Sequence, residues 1–172
     1  MVETPATPMA TINRSQNIRV CVFRLAGLRL GLDVRYVQEV LRPLAVTPVP
    51  LSPATMDGLV NLRGQIVLAF NMRKRLDLPD SAWERPLQVV CLHLGDLVSF
   101  LVDSLEEVQE IELGKVVFTP ANLPKRLREA LSGVVDDHGE LLMILDPARI
   151  LGLGSSDLEK SKRPASDASV CL

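Results

Sequence analysis

Few residues in this 172-residue chain have types and spacings that could support chemistry. Cys91 and His93 are alternate residues in an apolar run, so on a strand both could project to one face and bind a metal ion. A metal site needs three or four such ligands, and no nearby pair completes the set. The sequence therefore favours a histidine in the core or at a strand edge, and it predicts no metal and no cofactor.

The remaining candidates for catalysis are better explained by structure. His138 lies in the run DDHG, whose composition is typical of a turn. Asp103 and Asp146 each follow an apolar run, where a carboxylate caps the end of a strand more often than it joins a catalytic pair. The chain has neither a GxxxxGK[ST] nor a GxGxxG motif. We expect no catalytic residue, with a small hydrolase of unrecognised site as an alternative that needs ionisable groups converging in a pocket.

Arg63 is the first candidate for a binding residue, because it breaks an internal repeat. Residues 58–76 (GLVNLRGQIVLAFNMRKRL) and residues 133–151 (GVVDDHGELLMILDPARIL) share one layout, 75 positions apart. Positions that a fold requires should recur, whereas Arg63 corresponds to His138. The alternative is a solvated arginine at a hairpin tip, which is the commoner role of a single exposed charge.

Both copies of the repeat predict a strand, a turn, a second strand and a helix. Each second strand contains a five-residue apolar run, as in strands that are buried on both faces. Glycine occupies each turn, as Gly64 does in the first copy, and Asn61 corresponds to Asp136. Asn71 and Asp146 then stand where a side-chain oxygen can cap a helix.

The first folded elements are predicted to be a hairpin followed by a short helix. Residues 19–25 and 28–33 are typical of strands around a glycine turn. Asp33 can cap a helix whose apolar residues share one side at helical spacing, namely Val34, Val37, Val40 and Leu41. Glu39 lies on the other side, four residues after Arg35, which suggests a surface ion pair.

The strand pattern restarts in the second half of the chain, at residues 87–94 and 97–103, and VQEI at 108–111 repeats VQEV at 37–40. The proline-rich residues 46–53 predict an irregular or edge connection, and residues 125–130 predict a helix. The basic clusters at 73–75 and 125–126 are expected to be solvated helix faces.

Short strands with closely spaced turns predict a mainly β fold of two small barrels or curled sheets. By the repeat, the halves span roughly residues 18–85 and 86–154, related by a pseudo-twofold arrangement. Residues 1–17 and 155–172 are polar and proline-containing, and we expect them to be flexible tails.

Composition narrows the classes of function. Hydrophobic residues make up 47% of the chain but aromatic residues only 3%, and the net charge is −2, which disfavours nucleic acid as a partner. An OB-type nucleic-acid-binding barrel is therefore only an alternative. No apolar run is long enough to span a membrane and no signal peptide is evident, so we expect a soluble intracellular protein. Cys21, Cys91 and Cys171 are widely spaced, which predicts free thiols.

Several motifs occur together in a recognisable order. They are DVRYVQEV from residue 33, VP at 49–50, GLVNLRGQIV from residue 58, and VDSLEEV from residue 102. Over residues 19–153 the chain resembles the CheW family of chemotaxis coupling proteins. The resemblance implies two five-stranded SH3-like barrels packed through a hydrophobic interface.

The same resemblance implies a non-catalytic adaptor that joins the cytoplasmic tips of methyl-accepting chemoreceptors to the regulatory domain of a chemotaxis histidine kinase. Family interface positions correspond here to Val37, Glu39, Gly58, Arg63, Gly64 and Leu105. The implied location is the cytoplasm, with recruitment to receptor arrays but no insertion into the membrane. We also expect the adaptor domain alone, without an attached receiver or kinase domain.

The chain departs from the family pattern at three positions. Leu68 replaces a proline, Asn71 replaces an aspartate, and Ser99 stands where glycine is frequent. These changes suggest, as an alternative, an adaptor of another chemosensory pathway, such as one that controls surface motility or a second messenger.

Overall fold

The structure of the chain is a computed structural model that describes residues 16–80, 85–117 and 120–152. Its strands are β1 (Asn17–Leu25), β2 (Leu28–Asp33), β3 (Val37–Leu41), β4 (Val46–Thr47), β5 (Met56–Leu62), β6 (Gln65–Asn71), β7 (Leu87–His93), β8 (Asp96–Val102), β9 (Ser104–Glu112), β10 (Leu131–Asp137) and β11 (Glu140–Leu145). The helices are α1 (Met72–Arg75), α2 (Lys125–Ala130) and α3 (Pro147–Gly152). The predicted tails lie outside the described residues except for Gln16 and Asn17, and β1 already includes Asn17.

The strands form two sheets, so the predicted mainly β class with short helices is confirmed. Sheet 1 has the order β10-β11-β2-β1-β9, and sheet 2 has the order β3-β7-β8-β6-β5-β4. The sixth strand of sheet 2 is the two-residue β4 in the proline-rich connection, which confirms an edge element there. Sheet 1 has a single bridge at the equivalent place, between Val117 and Val134.

Each sheet draws strands from both halves of the sequence repeat. In sheet 2, residues 68–70 of β6 pair in parallel with residues 98–100 of β8. In sheet 1, residues 143–145 of β11 pair in the same register with residues 30–32 of β2. A residue of β6 corresponds to the residue 75 positions later in β11, and a residue of β2 corresponds to the residue 68 positions later in β8. The two parallel pairings are therefore equivalent. The expected division near residue 85 therefore separates the sequence repeats and not the sheets.

Each sheet combines a hairpin from one half of the repeat with a hairpin from the other. This arrangement explains why the core strands are buried on both faces. Residues of β1, β9, β10 and β11 form a small cluster within sheet 1, with Val20, Val22, Ile111, Val135, Leu142 and Ile144 as its buried members. The matching cluster in sheet 2 consists of buried Leu62, Val67 and Val90 with partly buried Leu41, Leu44 and Leu97. The other faces meet in one large core that includes Phe23, Phe70 and Phe100. The first residues of the two apolar runs, Ile66 and Leu141, are exposed.

Four two-residue turns join the hairpins, and all four have the same backbone form. The first turn residue has a φ of 50° to 55° and is Ala26, Arg63, Leu94 or His138. A glycine follows in each turn with φ between 80° and 89°. Positive φ at both positions defines the turn that matches the twist of two antiparallel strands. Glycine satisfies the second position without strain, which is why it recurs at Gly64 and Gly139.

Gly58 and Gly133 recur for a different reason, which is the close passage of another segment. A Cβ atom on Gly58 would overlap the carbonyl oxygen of Thr47, and Gly58 also has a φ of 149°. A Cβ atom on Gly133 would overlap the Val116 side chain and approach the carbonyl oxygen of Val117. Both glycines therefore let the edge connection cross a bulged hairpin strand.

The predicted helix over residues 34–41 is wrong. Asp33 caps a tight turn, since its Oδ1 accepts the backbone N–H of Arg35 at 2.9 Å. The chain then continues as β3, which pairs antiparallel with β7. The spacing of Val37 and Val40 fits a helix locally, but the β7 edge offers backbone partners that a short isolated helix lacks.

The predicted helix caps are confirmed. Asn71 Oδ1 accepts the N–H of Lys74 at 3.2 Å, and Asp146 Oδ1 accepts that of Ala148 at 2.9 Å. The predicted solvated face at 73–75 is wrong for two of its residues. Arg75 is buried, and Arg73 forms a two-pronged ion pair with Asp103 at 2.6 and 3.1 Å. Helix α2 coincides with the predicted residues 125–130.

Candidate protein-binding surface

Arg63 occupies the tip of the β5–β6 hairpin and extends into solvent. Its side chain is 77% exposed and its φ is 52°. The turn itself is held by Asn61, whose Oδ1 accepts the N–H of Gly64 at 2.7 Å. In the other hairpin Asp136 accepts the N–H of Gly139 at the same distance. Asn61 and Asp136 thus do the same structural work, and the difference between the two tips lies in Arg63 and His138.

Arg63 pairs with Glu39, which joins two of the predicted site residues. Arg63 Nη2 donates to Glu39 Oε2 at 2.8 Å. Strands β7 and β8 lie between β3 and the β5–β6 hairpin in the sheet order, so this contact requires that sheet 2 curl on itself. The predicted Arg35–Glu39 pair is wrong, because four residues of extended chain span about 13 Å, whereas on a helix they would be neighbours. Arg35 instead pairs with Asp33 at 2.7 Å.

Exposed apolar side chains lie at the same end of sheet 2 as Arg63. Strands β6 and β8 run parallel, so the β5–β6 and β7–β8 turns lie side by side. Leu94, in the second of these turns, is 91% exposed, and Ile66 and Leu92 are also exposed. We call Glu39, Arg63, Ile66, Leu92 and Leu94 the Arg63 surface. The prediction missed Ile66, Leu92 and Leu94, although a leucine directly before a turn glycine was a visible signal.

The other predicted site residues have different positions. Gly64 lies exposed in the Arg63 turn. Val37 begins β3, beside the bulge that separates it from Glu39, and packs partly against the large core. Gly58 is buried beneath the edge connection. Leu105 is exposed on β9 in sheet 1 and so belongs to a second surface.

In the part of the chain that the structure describes, the residues considered for metal binding or catalysis form no shared site or are unreactive. No group of three or more His, Cys, Asp or Glu side chains there could hold a metal ion. Cys91 is buried in the core, and burial raises the pKa of its thiol to about 12. Burial also raises the pKa of Cys21. Both thiols are therefore neutral near pH 7 and are poor nucleophiles.

Comparison with known proteins agrees with this architecture. The sequence model of the CheW-like domain matches residues 19–154. The chain belongs to the CheW-like family. This family assignment confirms the resemblance to chemotaxis coupling proteins and supports a scaffold in chemotaxis. No helix among the described residues is long and apolar enough to cross a membrane.

Individual CheW-like relatives are distant but similar over most of their length. The chain is 26% identical over 158 residues to a protein named chemotaxis protein CheW from Treponema pallidum, covering 89% of this chain and 91% of that one. It is 27% identical over 136 residues to a protein of the same name from Thermotoga maritima, covering 79% and 89%. A crystal structure of the scaffolding protein CheW from Thermoanaerobacter tengcongensis superposes with a TM-score of 0.74, at 21% identity, covering 83% and 97%.

Proposed function

We propose that this CheW-like protein is a non-catalytic adaptor that couples chemoreceptors to a chemotaxis-type histidine kinase. The observation that carries the proposal is the Arg63–Glu39 pair at 2.8 Å, surrounded by exposed apolar residues. A guanidinium has five donors, and the pair engages one of them. The other four donors of Arg63 can bind a partner. The hydrogen bond to Glu39 holds the Arg63 side chain in one direction.

The Arg63 surface has the composition of a protein-binding site. Central arginines beside apolar anchors dominate the binding energy of many interfaces. Leu94 and Ile66 expose apolar side chains next to Arg63, and an amphipathic segment with carbonyl or carboxylate acceptors would match them. Val37 and Gly58 belong to the same proposed site as supports, because they shape β3 and β5 beneath it.

Leu105 provides a second proposed surface on the other sheet. It lies on β9, an edge strand of sheet 1, next to exposed Val108. Two surfaces on two sheets allow an adaptor to hold two partners at once. We assign the kinase regulatory domain and the cytoplasmic receptor tip as the partners, which locates the protein in the cytoplasm at receptor arrays without membrane insertion.

The buried aromatic residues argue against nucleic acid as the partner. Phe23, Phe70 and Phe100 are within the large core, where their rings cannot stack on bases. Among the described residues only Tyr36 exposes a substantial aromatic surface. A lack of binding to single-stranded oligonucleotides at low salt would agree with this assignment.

The proposed function is tested by capture from native cytosol and membranes with wild type, Arg63→Ala and the control Arg126→Ala. Arg126 lies in α2 and pairs with Asp77, away from both surfaces. We expect wild type and Arg126→Ala to retain a chemoreceptor and a histidine kinase, and Arg63→Ala to retain less of at least one. The retained proteins also identify the pathway. Recovery of neither partner by wild type would refute the proposal.

A further inference from the structure

The two sheets close on themselves by different chemistry. In sheet 2 the buried closing contacts are apolar and include Leu62 and Leu97, while the Arg63–Glu39 pair lies exposed at the end of the sheet. The equivalent positions in sheet 1, through the offsets of 75 and 68, are Asp137 and Arg29. Sheet 1 therefore has an ion pair where sheet 2 has two leucines.

Arg29 is the centre of a network of charged side chains across sheet 1. Its side chain is only 8% exposed, and it lies on β2, the middle strand of the sheet. Arg29 Nε donates to Glu106 on β9 at 2.6 Å, and Nη1 donates to Asp137 at the end of β10. Nη2 donates to Gln109 on β9 at 3.2 Å. All three nitrogens of the guanidinium are thus engaged.

The network connects the two edges of sheet 1. Strands β9 and β10 lie at opposite ends of the strand order and share no backbone pairing. Gln109 on β9 nevertheless donates to Asp137 on β10 at 3.3 Å. Arg24 on β1 extends the network, since it donates to Glu106 at 2.6 Å and to both oxygens of Glu140 on β11. Arg29 therefore joins β9 to β10 through side chains, in addition to the apolar cluster that contains Ile111 and Val135.

We propose that Arg29 is a positioning residue, which holds β9 against β10 and so presents the Leu105 surface in one conformation. Leu105 directly precedes Glu106, the residue that Arg29 binds. Among the described residues, strand β9 pairs with a neighbour on one side only, through β1, and that pairing has a bulge near Leu105. Without the network, β9 and β10 would share only the apolar cluster that contains Ile111 and Val135, at the far end of β9 from Leu105.

Ionic closure differs from apolar closure in its consequences. A paired guanidinium fixes direction and register, whereas leucines of similar volume often give equal or greater stability. The sheet-2 arrangement therefore suggests how to separate positioning from stability. Replacing both partners, as in Arg29→Leu with Asp137→Leu, reproduces in sheet 1 the apolar pair of sheet 2 and leaves Glu106 bound only to Arg24 of β1.

The first test is residue-resolved amide hydrogen exchange of the full chain for wild type, Arg29→Lys, Arg29→Leu/Asp137→Leu and the control Arg126→Leu. Lysine keeps the charge but lacks the planar fork that reaches Glu106, Asp137 and Gln109 together. We expect exchange at β9 amides to rise about tenfold in both Arg29 variants, with sheet 2 unchanged, as for the loss of one strong hydrogen bond. Unchanged β9 exchange in both variants would overturn the proposal.

The second test is binding, and it rests on the proposed function. Any partner captured by wild type and lost in Leu105→Ala should also bind less tightly to the Arg29 variants, while binding that depends on Arg63 should persist. Equal binding by the Arg29 variants would show that β9 needs no positioning. If wild type binds neither partner, the proposed function fails, but the exchange result still decides whether Arg29 orders β9.

Discussion

Arg75 lies over the ring of Phe70, with its guanidinium carbon 4.7 Å from the ring centroid. The same group donates to the carbonyl oxygens of Ile150 at 2.7 Å and Leu151 at 2.8 Å. Arg75 thus ends α1 in the first copy of the repeat and binds the C-terminal carbonyls of α3 in the second. One buried arginine joins the two copies where their helices meet.

Replacing Arg75 should destabilise the whole domain. Arg75→Met keeps part of the aliphatic stem but removes the guanidinium over Phe70 and leaves the carbonyl oxygens of Ile150 and Leu151 without their donors, at a cost of about 2–3 kcal/mol. Urea unfolding monitored by circular dichroism measures this loss. Arg126→Met, at a half-exposed position, is the matched control and should change the free energy of unfolding by less than about 0.5 kcal/mol. An equal effect of both substitutions would contradict the role assigned to Arg75.

Gly58 and Gly64 should respond differently to alanine. At Gly58 the new methyl group would overlap the Thr47 carbonyl, so Gly58→Ala should cost at least about 2 kcal/mol. At Gly64 no atom lies within 4 Å of the methyl group, so only backbone strain of about 1 kcal/mol is expected. Thermal and urea unfolding separate the two variants. If Gly58→Ala were as stable as wild type yet failed to bind, Gly58 would contact the partner directly.

Arg63 should contribute to binding and not to folding. Its positive φ is a conformation that asparagine adopts more readily than arginine, and an exposed ion pair contributes less than about 1 kcal/mol. Arg63→Asn should therefore leave the free energy of unfolding within about 0.5 kcal/mol of wild type while weakening partner capture. Unfolding and capture are measured on the same preparation. If Arg63→Asn unfolded the domain while Arg63→Lys still bound the partner normally, Arg63 would be a structural residue instead.

Acid should destabilise sheet 1 through its carboxylates. The hydrogen bond from Arg29 lowers the pKa of both Glu106 and Asp137, and the one from Arg24 lowers that of Glu140. A carboxylate with a lowered folded-state pKa stabilises the fold above its unfolded-state pKa, and this contribution disappears as pH falls through the folded value. Stability should therefore decline from about pH 4.5 downward.

The pH dependence has an internal control in the Arg29 variants. Urea midpoints measured at pH 7, 4 and 3 should fall more steeply for wild type than for Arg29→Leu/Asp137→Leu, which lacks the Asp137 carboxylate and the larger of the two arginine contributions that lower the pKa of Glu106. Parallel curves would mean that other carboxylates, such as the Arg35-paired Asp33, dominate the acid response.

Much of the fold could be predicted from the sequence, because it depends on interactions between residues that are close along the chain. The turn glycines, the caps Asn71 and Asp146, and the repeat itself depend on a few neighbouring residues, and each was predictable. Arg63 was singled out as a binding candidate because it departs from the repeat, and that role stays a prediction. Residues 34–41 were predicted as a helix because Val34, Val37 and Val40 recur at helical spacing, and the strand is favoured only where β7 supplies backbone partners.

Tertiary structure decided what depends on distant residues. The apolar runs of β6 and β11 could each pair with β2 or β8. Packing of the whole chain selected the pairing of β6 with β8 and of β11 with β2, each with a strand from the other half. The partner of Glu39 is 24 positions away at Arg63, and that of Arg29 is 77 positions away at Glu106. Ion pairs need proximity in space, and sequence spacing predicts that only within a single element. Arg73 and Arg75 looked solvated for the same reason, because their acceptors belong to other parts of the chain.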